Sequence, residues 1–304
     1  MSLTPMSPAS GPHAAPSQPK KKTTHSVREK KSRGEIITCL TAYDYWSARL
    51  VDEAGVDMVL VGDSLAQVVL GHENTMSVTV DEMLHHTRAA RRGVENALLI
   101  ADMPYGSYHS GRRKAVANAV RFVKEAGAEA VKLEGGEKRA ELVRAMLDAE
   151  VPVMGHIGLT PQSLHAMGGY KVQGKTSAAV DQLMRDAAAL DHAGVFAMVL
   201  EGIPAEVAAM ITAQVGCPTI GIGAGADCDG QVLVLHDILG LTFTPPAKFV
   251  RKYADVAEIV RDAAKGFIHD VETHAYPTET ESYHLPRETQ AAMKNVITKK
   301  RHVG

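Results

Sequence analysis

Four acidic side chains each follow a short apolar run, either directly or after one glycine; they are Asp63, Asp102, Glu134 and Glu201. A single acid in such a place is an ordinary loop cap. Four acids that converge on one cleft repel each other unless a cation lies among them. Asp63, Asp102 and Glu134 follow consecutive runs and offer only oxygen ligands, which suits a hard cation such as Mg²⁺. The sequence therefore predicts a Mg²⁺ site, provided that the fold brings the ends of these runs together.

Other polar residues stand at the same places. Lys132 precedes Glu134 by two residues, so in a strand both side chains point the same way. Lys132 could meet an anionic substrate or pair with the carboxylates, and spacing alone leaves both readings open. Ser64 comes directly after Asp63, and His156 and the glycine loop at residues 221–225 lie at the ends of other runs, so they extend the candidate site.

The elements that must position these groups repeat along the chain. Continuous apolar runs are typical of strands buried on both faces, and eight are found, at residues 36–42, 58–61, 97–101, 130–133, 151–154, 195–200, 219–222 and 232–235. Helical patterns separate them, and several end in Ala-Gly just before a run. Eight such units predict an α/β fold, a single-domain (β/α)8 TIM barrel with its chemistry at the carboxyl ends of the strands. An open doubly wound sheet is the alternative.

The domain boundaries follow from composition. Residues 1–22 are rich in Pro, Ser and Ala and are expected to form a disordered tail. Residues 23–284 form the catalytic barrel, with a short N-terminal helix capped by Thr24 and stopped at Gly34, and with a last barrel helix at about 247–273. Residues 285–304 are expected to be a disordered C-terminal tail.

Overall composition narrows the class of protein. The 304 residues carry a net charge of −2 and are 45% hydrophobic, which fits a globular protein and argues against a nucleic-acid binder. Without a long apolar run or an apolar N-terminal signal, the chain is expected to be cytoplasmic and to have no membrane partner. A basic cluster runs from Lys20 to Arg33; it is either a solvated segment or the contact surface of an RNA-binding or regulatory protein.

Two glycine-rich segments match nucleotide-binding patterns only superficially. Gly169–Thr176 fits the letters of a phosphate loop, but no apolar run leads directly into it. Gly221–Ala226 fits the dinucleotide fingerprint, but the residues that follow read as more loop, where the fingerprint needs a helix. Both are expected to be loops, and the second is expected to close over a ligand.

Ordered blocks along the chain resemble the ketopantoate hydroxymethyltransferase family, which is related to the phosphoenolpyruvate mutase and isocitrate lyase superfamily. The blocks lie at residues 41–45, 61–65, 78–83, 101–104, 131–136, 155–162, 168–174 and 220–225. The resemblance runs from about Thr24 to about His284. It implies a (β/α)8 barrel that transfers the one-carbon unit of 5,10-methylenetetrahydrofolate to 3-methyl-2-oxobutanoate through a Mg²⁺-stabilised enolate, giving 2-dehydropantoate.

The resemblance also implies roles for individual residues. The metal positions match Asp63, Asp102 and Glu134, with the glutamate acting through water, and the acid/base position matches Glu201. The 2-oxoacid would contact Asp63, Ser64, Asp102, Lys132 and His156. The family further suggests a homo-oligomer, commonly a decamer. A carbon-carbon or phosphorus-carbon lyase of the related superfamily is the enzyme alternative, but the cysteine loop usual in those lyases is absent from this sequence.

Overall fold

The computed structural model describes residues 20–290 and residue 293. Its strands are β1 Ile37–Thr41, β2 Met58–Val61, β3 Leu98–Asp102, β4 Ala130–Lys132, β5 Val153–Gly158, β6 Ala197–Glu201, β7 Thr219–Ile222 and β8 Gly230–Leu233. All eight pair in parallel with their neighbours in chain order, and β8 pairs with β1. The predicted (β/α)8 barrel is therefore confirmed, and the open-sheet alternative is wrong.

Helices connect the strands. They are α1 Thr24–Ser32, α2 Tyr45–Glu53, α3 Leu65–Val68, α4 Val80–Arg91, α5 Arg112–Ala126, α6 Ala140–Asp148, α7 Leu164–Met167, α8 Ser177–Ala193, α9 Ala205–Gln214, α10 Leu235–Ile238 and α11 Val256–Glu272. Short 3₁₀ turns lie at Glu137–Arg139, Pro161–Ser163 and Glu279–Glu281. Two of the predicted Ala-Gly stops, Gly127 and Gly194, end α5 and α8 in the left-handed conformation, where glycine has no Cβ to clash.

The barrel interior is filled by alternating strand residues from all eight strands. Ile37, Met58, Leu98 and Ile220 belong to one buried apolar cluster, because every second side chain of a strand points inward. Where β8 meets β1, a Cβ on Gly230 would collide with the carbonyl oxygen of Ile37, so glycine allows the barrel to close there. The core thus holds the carboxyl ends of the strands in a fixed ring.

Helix α1 covers the amino-terminal end of the barrel, which we call the floor. Val27 is 1% exposed and packs into the interior cluster. The Lys30 ammonium lies 2.8 and 2.7 Å from the two carboxylate oxygens of Asp57, and Lys31 Nζ lies 2.9 Å from Asp229 Oδ2. The cap of α1 is Thr23, one residue before the predicted Thr24, and it forms a capping box with Ser26.

Most cations of the basic cluster make contacts at the floor. Lys21 donates to the carbonyl of Ala97 and pairs with Glu129 at 2.6 Å, and Arg28 donates to the carbonyl of Val195. Ala97 precedes β3, Glu129 precedes β4 and Val195 lies shortly before β6, so these cations tie together the starts of strands. This use leaves little support for an RNA-contact surface, and it also differs from a simply solvated segment.

Contacts divide the chain into two compact units. The first contains the eight strands and runs to Ile238, with residues 242–252 belonging to it again. The second comprises Leu239–Leu241 and the described residues from Tyr253 on, with α11. The predicted helix start at about 247 is wrong: residues 247–255 are not helical, and the segment turns through a hydrogen bond from Val250 N–H to the carbonyl of Ala247. The predicted tail at residues 1–22 lies mostly outside the described residues, as does most of 285–304.

Candidate active site

One cavity of about 500 Å³ opens at the carboxyl-terminal end of the barrel, which we call the mouth. Every residue that the sequence predicts to take part in chemistry lines it: Asp63, Ser64, Asp102, Lys132, Glu134, His156 and Glu201. The structure therefore brings together the whole predicted set.

The pleat of the strands explains how these side chains reach the cavity. Asp102, Lys132 and Glu201 are the last residues of β3, β4 and β6, and His156 lies within β5. Two residues before each of them stands a member of the interior apolar cluster, namely Ile100, Ala130, Val199 and Met154. Since side chains of a strand alternate, the polar residues continue the inward-facing row one layer higher.

The three predicted metal ligands each have one oxygen held by a hydrogen bond. Asp63 N–H donates to Asp102 Oδ2 at 3.0 Å, and Gln162 Nε2 donates to Asp63 Oδ2 at 2.9 Å. Gln162 N–H donates to Glu134 Oε2 at 3.0 Å. Among the described residues, the second oxygens of Asp63 and Glu134, Oδ1 and Oε1, accept no hydrogen bond, whereas the second oxygen of Asp102, Oδ1, faces the ammonium of Lys132.

Burial makes this arrangement costly for the charged acids. Asp63, Asp102 and Glu134 are between 2% and 5% exposed. Loss of solvation, together with the neighbouring charge of Asp102, raises the pKa of Asp63 to about 7 despite the opposing effect of Lys132. Burial and then the charge of Asp63 raise the pKa of Glu134 well above its ordinary value. When all three acids are ionised, they therefore carry more negative charge than the residues around them compensate.

Lys132 is the cation within this group. Its Nζ lies 3.1 Å from Asp102 Oδ1 and 3.1 Å from His156 Nδ1. Burial acts to lower the pKa of Lys132, but the carboxylates of Asp102, Glu134 and Asp63 outweigh it and raise that pKa above its ordinary value. Lys132 is thus a protonated donor, and one positive charge faces three acids.

The protonation of Lys132 fixes the state of His156. Burial and the nearby ammonium of Lys132 lower the pKa of His156, so the ring is neutral at neutral pH. An ammonium can only donate, so Nδ1 of the ring accepts and the ring proton resides on Nε2. Nε2 lies 3.2 Å from Glu201 Oε2, so the histidine presents its N–H toward that partly exposed carboxylate.

The side chain of Ser64, which follows Asp63 in the chain, also lines the cavity. The Ser64 hydroxyl lies 2.8 Å from the hydroxyl of Tyr43, which is buried after β1. Asp44, next in the chain, is used as a helix cap: its Oδ1 accepts from Ser47 N–H at the start of α2. Asp44 thus takes the ordinary capping role, whereas the predicted acids of the mouth do not.

The glycine motifs are loops, as expected. Residues 169–176 connect α7 to α8 and do not follow a strand, and Thr176 caps α8. After β7, the next element beyond Gly221–Ala226 is β8 and not a helix. The ring of Phe249 packs where a Cβ on Gly223 would stand, and Phe249 itself lines the cavity.

Sequence reasoning missed Gln162 and Tyr108. Gln162 is 4% exposed and lies in the 3₁₀ turn after β5, and the Tyr108 hydroxyl donates to its Oε1 at 2.6 Å. The only available signal was position: Gln162 closes the block that contains His156. A neutral amide in a loop carries no pattern of its own.

The donor set fits a divalent cation in chemical type. Three carboxylates meet beside one lysine, and two of them, Asp63 and Glu134, keep an oxygen that accepts no hydrogen bond from the described residues. A set of oxygen ligands with more negative than positive charge is the environment that Mg²⁺ takes. Within residues 20–290, no three His, Cys, Asp or Glu side chains stand close enough together to hold an ion directly. Mg²⁺ usually keeps several waters and uses only one or two carboxylates, so water-mediated ligation by Glu134 suits this spacing.

Comparison with known proteins supplies the remaining findings. A family model described as ketopantoate hydroxymethyltransferase matches residues 21–279. The 3-methyl-2-oxobutanoate hydroxymethyltransferase of Koribacter versatilis (strain Ellin345) is 69% identical over 280 residues, 92% of this chain and 95% of that protein. The protein of the same name from Syntrophotalea carbinolica is 56% identical over 264 residues, 87% of this chain and 99% of that one.

Solved structures resemble the fold at low sequence identity. A phosphonopyruvate hydrolase complex with oxalate and Mg²⁺ has a TM-score of 0.55 at 14% identity, over 93% of this chain and 100% of that one. A 2,3-dimethylmalate lyase of the PEP mutase/isocitrate lyase superfamily has a TM-score of 0.55 at 15% identity, over 94% of this chain and 100% of that one. At these identities the likeness concerns the barrel fold alone.

Proposed function

The chain belongs to the ketopantoate hydroxymethyltransferase family, and we propose that the acids at its barrel mouth carry out that family's reaction. The protein is a one-carbon transferase of pantothenate biosynthesis. It adds the one-carbon unit of 5,10-methylenetetrahydrofolate to 3-methyl-2-oxobutanoate as a hydroxymethyl group, and the product is 2-dehydropantoate. The observation that carries the site assignment is the set of three buried carboxylates beside one buried lysine: Lys132 pairs with Asp102, and Asp63 and Glu134 each keep an oxygen that accepts no hydrogen bond from the described residues.

Asp63, Asp102 and Glu134 would hold Mg²⁺, the last of them through water. When bound, the ion would polarise the ketone and carboxylate oxygens of the 2-oxoacid and so acidify the carbon next to the ketone. The uncompensated charge of the three acids supports this assignment, since a divalent cation among them would offset their repulsion.

Lys132 would bind the anionic substrate. Its ammonium lies at the centre of the site and has a third N–H beyond those directed at Asp102 and His156. Ser64, whose hydroxyl is oriented by Tyr43, would donate to a substrate oxygen. His156 would contact the substrate while it holds Glu201 by its Nε2–H.

Glu201 would be the acid/base residue. It comes from β6, across the mouth from the metal ligands of β2 to β4, and is less buried than they are. His156 Nε2 lies 3.2 Å from its Oε2 and so helps to position the carboxylate, as a proton acceptor requires. Two roles suit this place: removal of the C3 proton of 3-methyl-2-oxobutanoate, or delivery of a proton to the folate nitrogen as the one-carbon unit leaves.

Proton exchange separates these two roles. Glu201→Gln should lose the exchange of the C3 proton of 3-methyl-2-oxobutanoate in deuterated water, followed by ¹H NMR without folate, if Glu201 acts on the carbon acid. Normal exchange together with lost product formation would place Glu201 at the folate step instead. Normal rates of both would exclude it as the acid/base residue.

The metal assignment is tested by product formation. We expect 2-dehydropantoate to form from 3-methyl-2-oxobutanoate and 5,10-methylenetetrahydrofolate, to cease with EDTA, and to return when Mg²⁺ is added in excess. Formation that is indifferent to EDTA would contradict the metal site and leave the family's reaction intact.

We also propose a homo-oligomer in the cytoplasm. Helix α11 exposes large apolar side chains, Ile259, Val260, Phe267, Ile268 and Val271, which supports association of subunits. Light scattering coupled to size exclusion should give a mass well above 32.5 kDa, and a decamer would fit the family. No helix among the described residues has the length and apolar character needed to cross a membrane.

A further inference from the structure

Gln162 makes hydrogen bonds to the segments that follow three successive strands, β2, β3 and β4. Its Nε2 donates to Asp63 Oδ2 at 2.9 Å, beyond β2, and to the carbonyl of Met103 at 3.0 Å, the residue after Asp102 of β3. Its backbone N–H donates to Glu134 Oε2 at 3.0 Å, beyond β4. Each of the three carboxylate-bearing segments of the mouth is therefore held by Gln162.

The orientation of the Gln162 amide is set by its surroundings. Both acceptors, Asp63 and the Met103 carbonyl, lie on its NH₂ side, and the Tyr108 hydroxyl donates to Oε1 at 2.6 Å. That hydroxyl in turn accepts from Glu134 N–H at 3.2 Å. Tyr108 is 2% exposed, so no solvent competes for its proton. The amide can satisfy its partners in one orientation only.

We propose that Gln162 is the positioning residue for the metal site, and this inference rests on the proposed Mg²⁺ site. By binding Asp63 Oδ2 and Glu134 Oε2, it turns the opposite oxygens, Oδ1 and Oε1, away from protein donors and leaves them for the cation. The side-chain amide orients Asp63 and the backbone N–H orients Glu134. Both donors are neutral, so neither cancels the charge that attracts the ion, which a lysine or arginine would do.

Tyr108 acts one step further out. Without its hydroxyl, Oε1 of Gln162 loses its donor and the amide loses the contact that fixes its orientation. Apart from the bond that it accepts from Glu134 N–H, the hydroxyl reaches the metal site only through Gln162, so most of the effect of removing it should pass through Gln162. This dependence distinguishes a positioning relay from two separate packing contacts, which would act independently.

The test is the affinity for Mn²⁺, measured by the electron paramagnetic resonance signal of the free ion, on the full chain without substrate. Gln162→Met, which keeps the approximate volume and the backbone donor, should weaken binding by about tenfold or more, the usual range for outer-shell partners of a metal. Tyr108→Phe should weaken it by a smaller factor. The double variant should bind only slightly more weakly than Gln162→Met alone, because the one route that bypasses Gln162 is the Glu134 N–H bond to Tyr108.

A matched control removes the same kind of bond elsewhere. Gln182 Nε2 donates to Asp186 Oδ1 at 3.1 Å on the exposed face of α8, so Gln182→Met should leave Mn²⁺ affinity unchanged. Thermal unfolding without metal should confirm that all variants fold. If Gln162→Met fails to fold, Tyr108→Phe alone decides the test, and a wild-type affinity in that variant overturns the inference.

The outcomes distinguish a failure of the positioning role of Gln162 from a failure of the proposed metal site. A Gln162→Met protein that binds Mn²⁺ within about twofold of wild type overturns the positioning role, as does an effect of Tyr108→Phe that adds fully to that of Gln162→Met. A wild-type protein that binds no Mn²⁺ contradicts the proposed metal site itself.

Discussion

Both ends of the barrel bury acids, but they treat them in opposite ways. At the floor, Asp57 receives Lys30 on both oxygens and the N–H of Thr38 on one, and these bonds hold its pKa below the ordinary value although burial acts to raise it. At the mouth, burial and like charge raise the pKa of Asp63 to about 7. The same residue type is thus stabilised at one end and left under strain at the other.

The difference lies in the donors that surround each acid. Floor acids collect backbone N–H groups: Asp52 binds those of Glu95, Asn96 and Ala97, and Asp191 binds those of Gly216 and Cys217. Among the described residues, Asp63 and Glu134 of the mouth each keep one oxygen without a hydrogen bond, and Asp102 receives only one backbone N–H and the Lys132 ammonium. Burial alone therefore does not mark a functional acid; a shortage of donors does. The floor acids should support stability and the mouth acids should support catalysis.

The largest effect should come from Asp102→Asn. This change keeps an acceptor for Asp63 N–H but removes one ligand charge, so we expect kcat/KM to fall by more than about a hundredfold, beyond the range for outer-shell groups. The free energy of unfolding should change by less than about 1 kcal/mol, because like-charge repulsion is relieved as the ion pair with Lys132 is lost. Initial rates and urea denaturation measure the two quantities. A large loss of stability with normal kcat/KM would reverse the comparison.

Asp57→Asn should do the opposite at the floor. Loss of the charge that binds Lys30 should lower the free energy of unfolding by about 2 to 3 kcal/mol, since it leaves a partly buried ammonium without its partner. The folded variant should keep the wild-type kcat/KM. Reduced catalysis at wild-type stability would show that the floor acid is linked to the site.

Lys31→Met should have a smaller effect of the same kind. Lys31 joins α1 to Asp229 and to the carbonyls of Thr212 and Cys217, and its partner Asp229 is more exposed than Asp57, the partner of Lys30. We expect urea denaturation to give a loss of about 1 to 2 kcal/mol. An unchanged free energy of unfolding would mean that α1 is held by Val27 and its other contacts.

The smallest effect is a pH dependence. The pKa of Asp57 is lower in the folded than in the unfolded chain, so its contribution is complete above the unfolded value of about 4 and is lost as the pH falls through the folded value. The difference in stability between wild type and Asp57→Asn should therefore shrink from neutral pH to about pH 3. Denaturation at both pH values measures it, and a constant difference would mean that packing, not charge, is responsible.

Much of the mouth could be predicted from the sequence because its residues lie on strands. The apolar runs mark the strand ends, and the alternation that buries Ile100 and Ala130 directs Asp102 and Lys132 inward two residues later. Runs also define the barrel. The roles of Asp63, Ser64, Asp102, Lys132, Glu134, His156 and Glu201 come from the resemblance and remain proposals.

The rest depended on contacts distant in sequence. Lys31 and Asp229 are 198 residues apart, so nothing local revealed that the basic cluster closes the floor. Gln162 lies 99 residues from Asp63, and an amide in a loop has no periodic signal. The predicted helix start at about 247 is wrong because residues 247–255 are not helical: a turn closes at Ala247 and Val250, and Phe249 packs against Gly223.

One measurement tests directly whether the mouth acids await a cation. Thermal unfolding is followed with and without saturating Mg²⁺ and 3-methyl-2-oxobutanoate for wild type, Asp102→Asn and Asp57→Asn. Ligands that bind the native state raise the unfolding temperature. We expect Mg²⁺ and 3-methyl-2-oxobutanoate to raise Tm in wild type and in Asp57→Asn, and we expect no rise in Asp102→Asn. An equal rise in all three proteins, or none in wild type, would contradict this expectation.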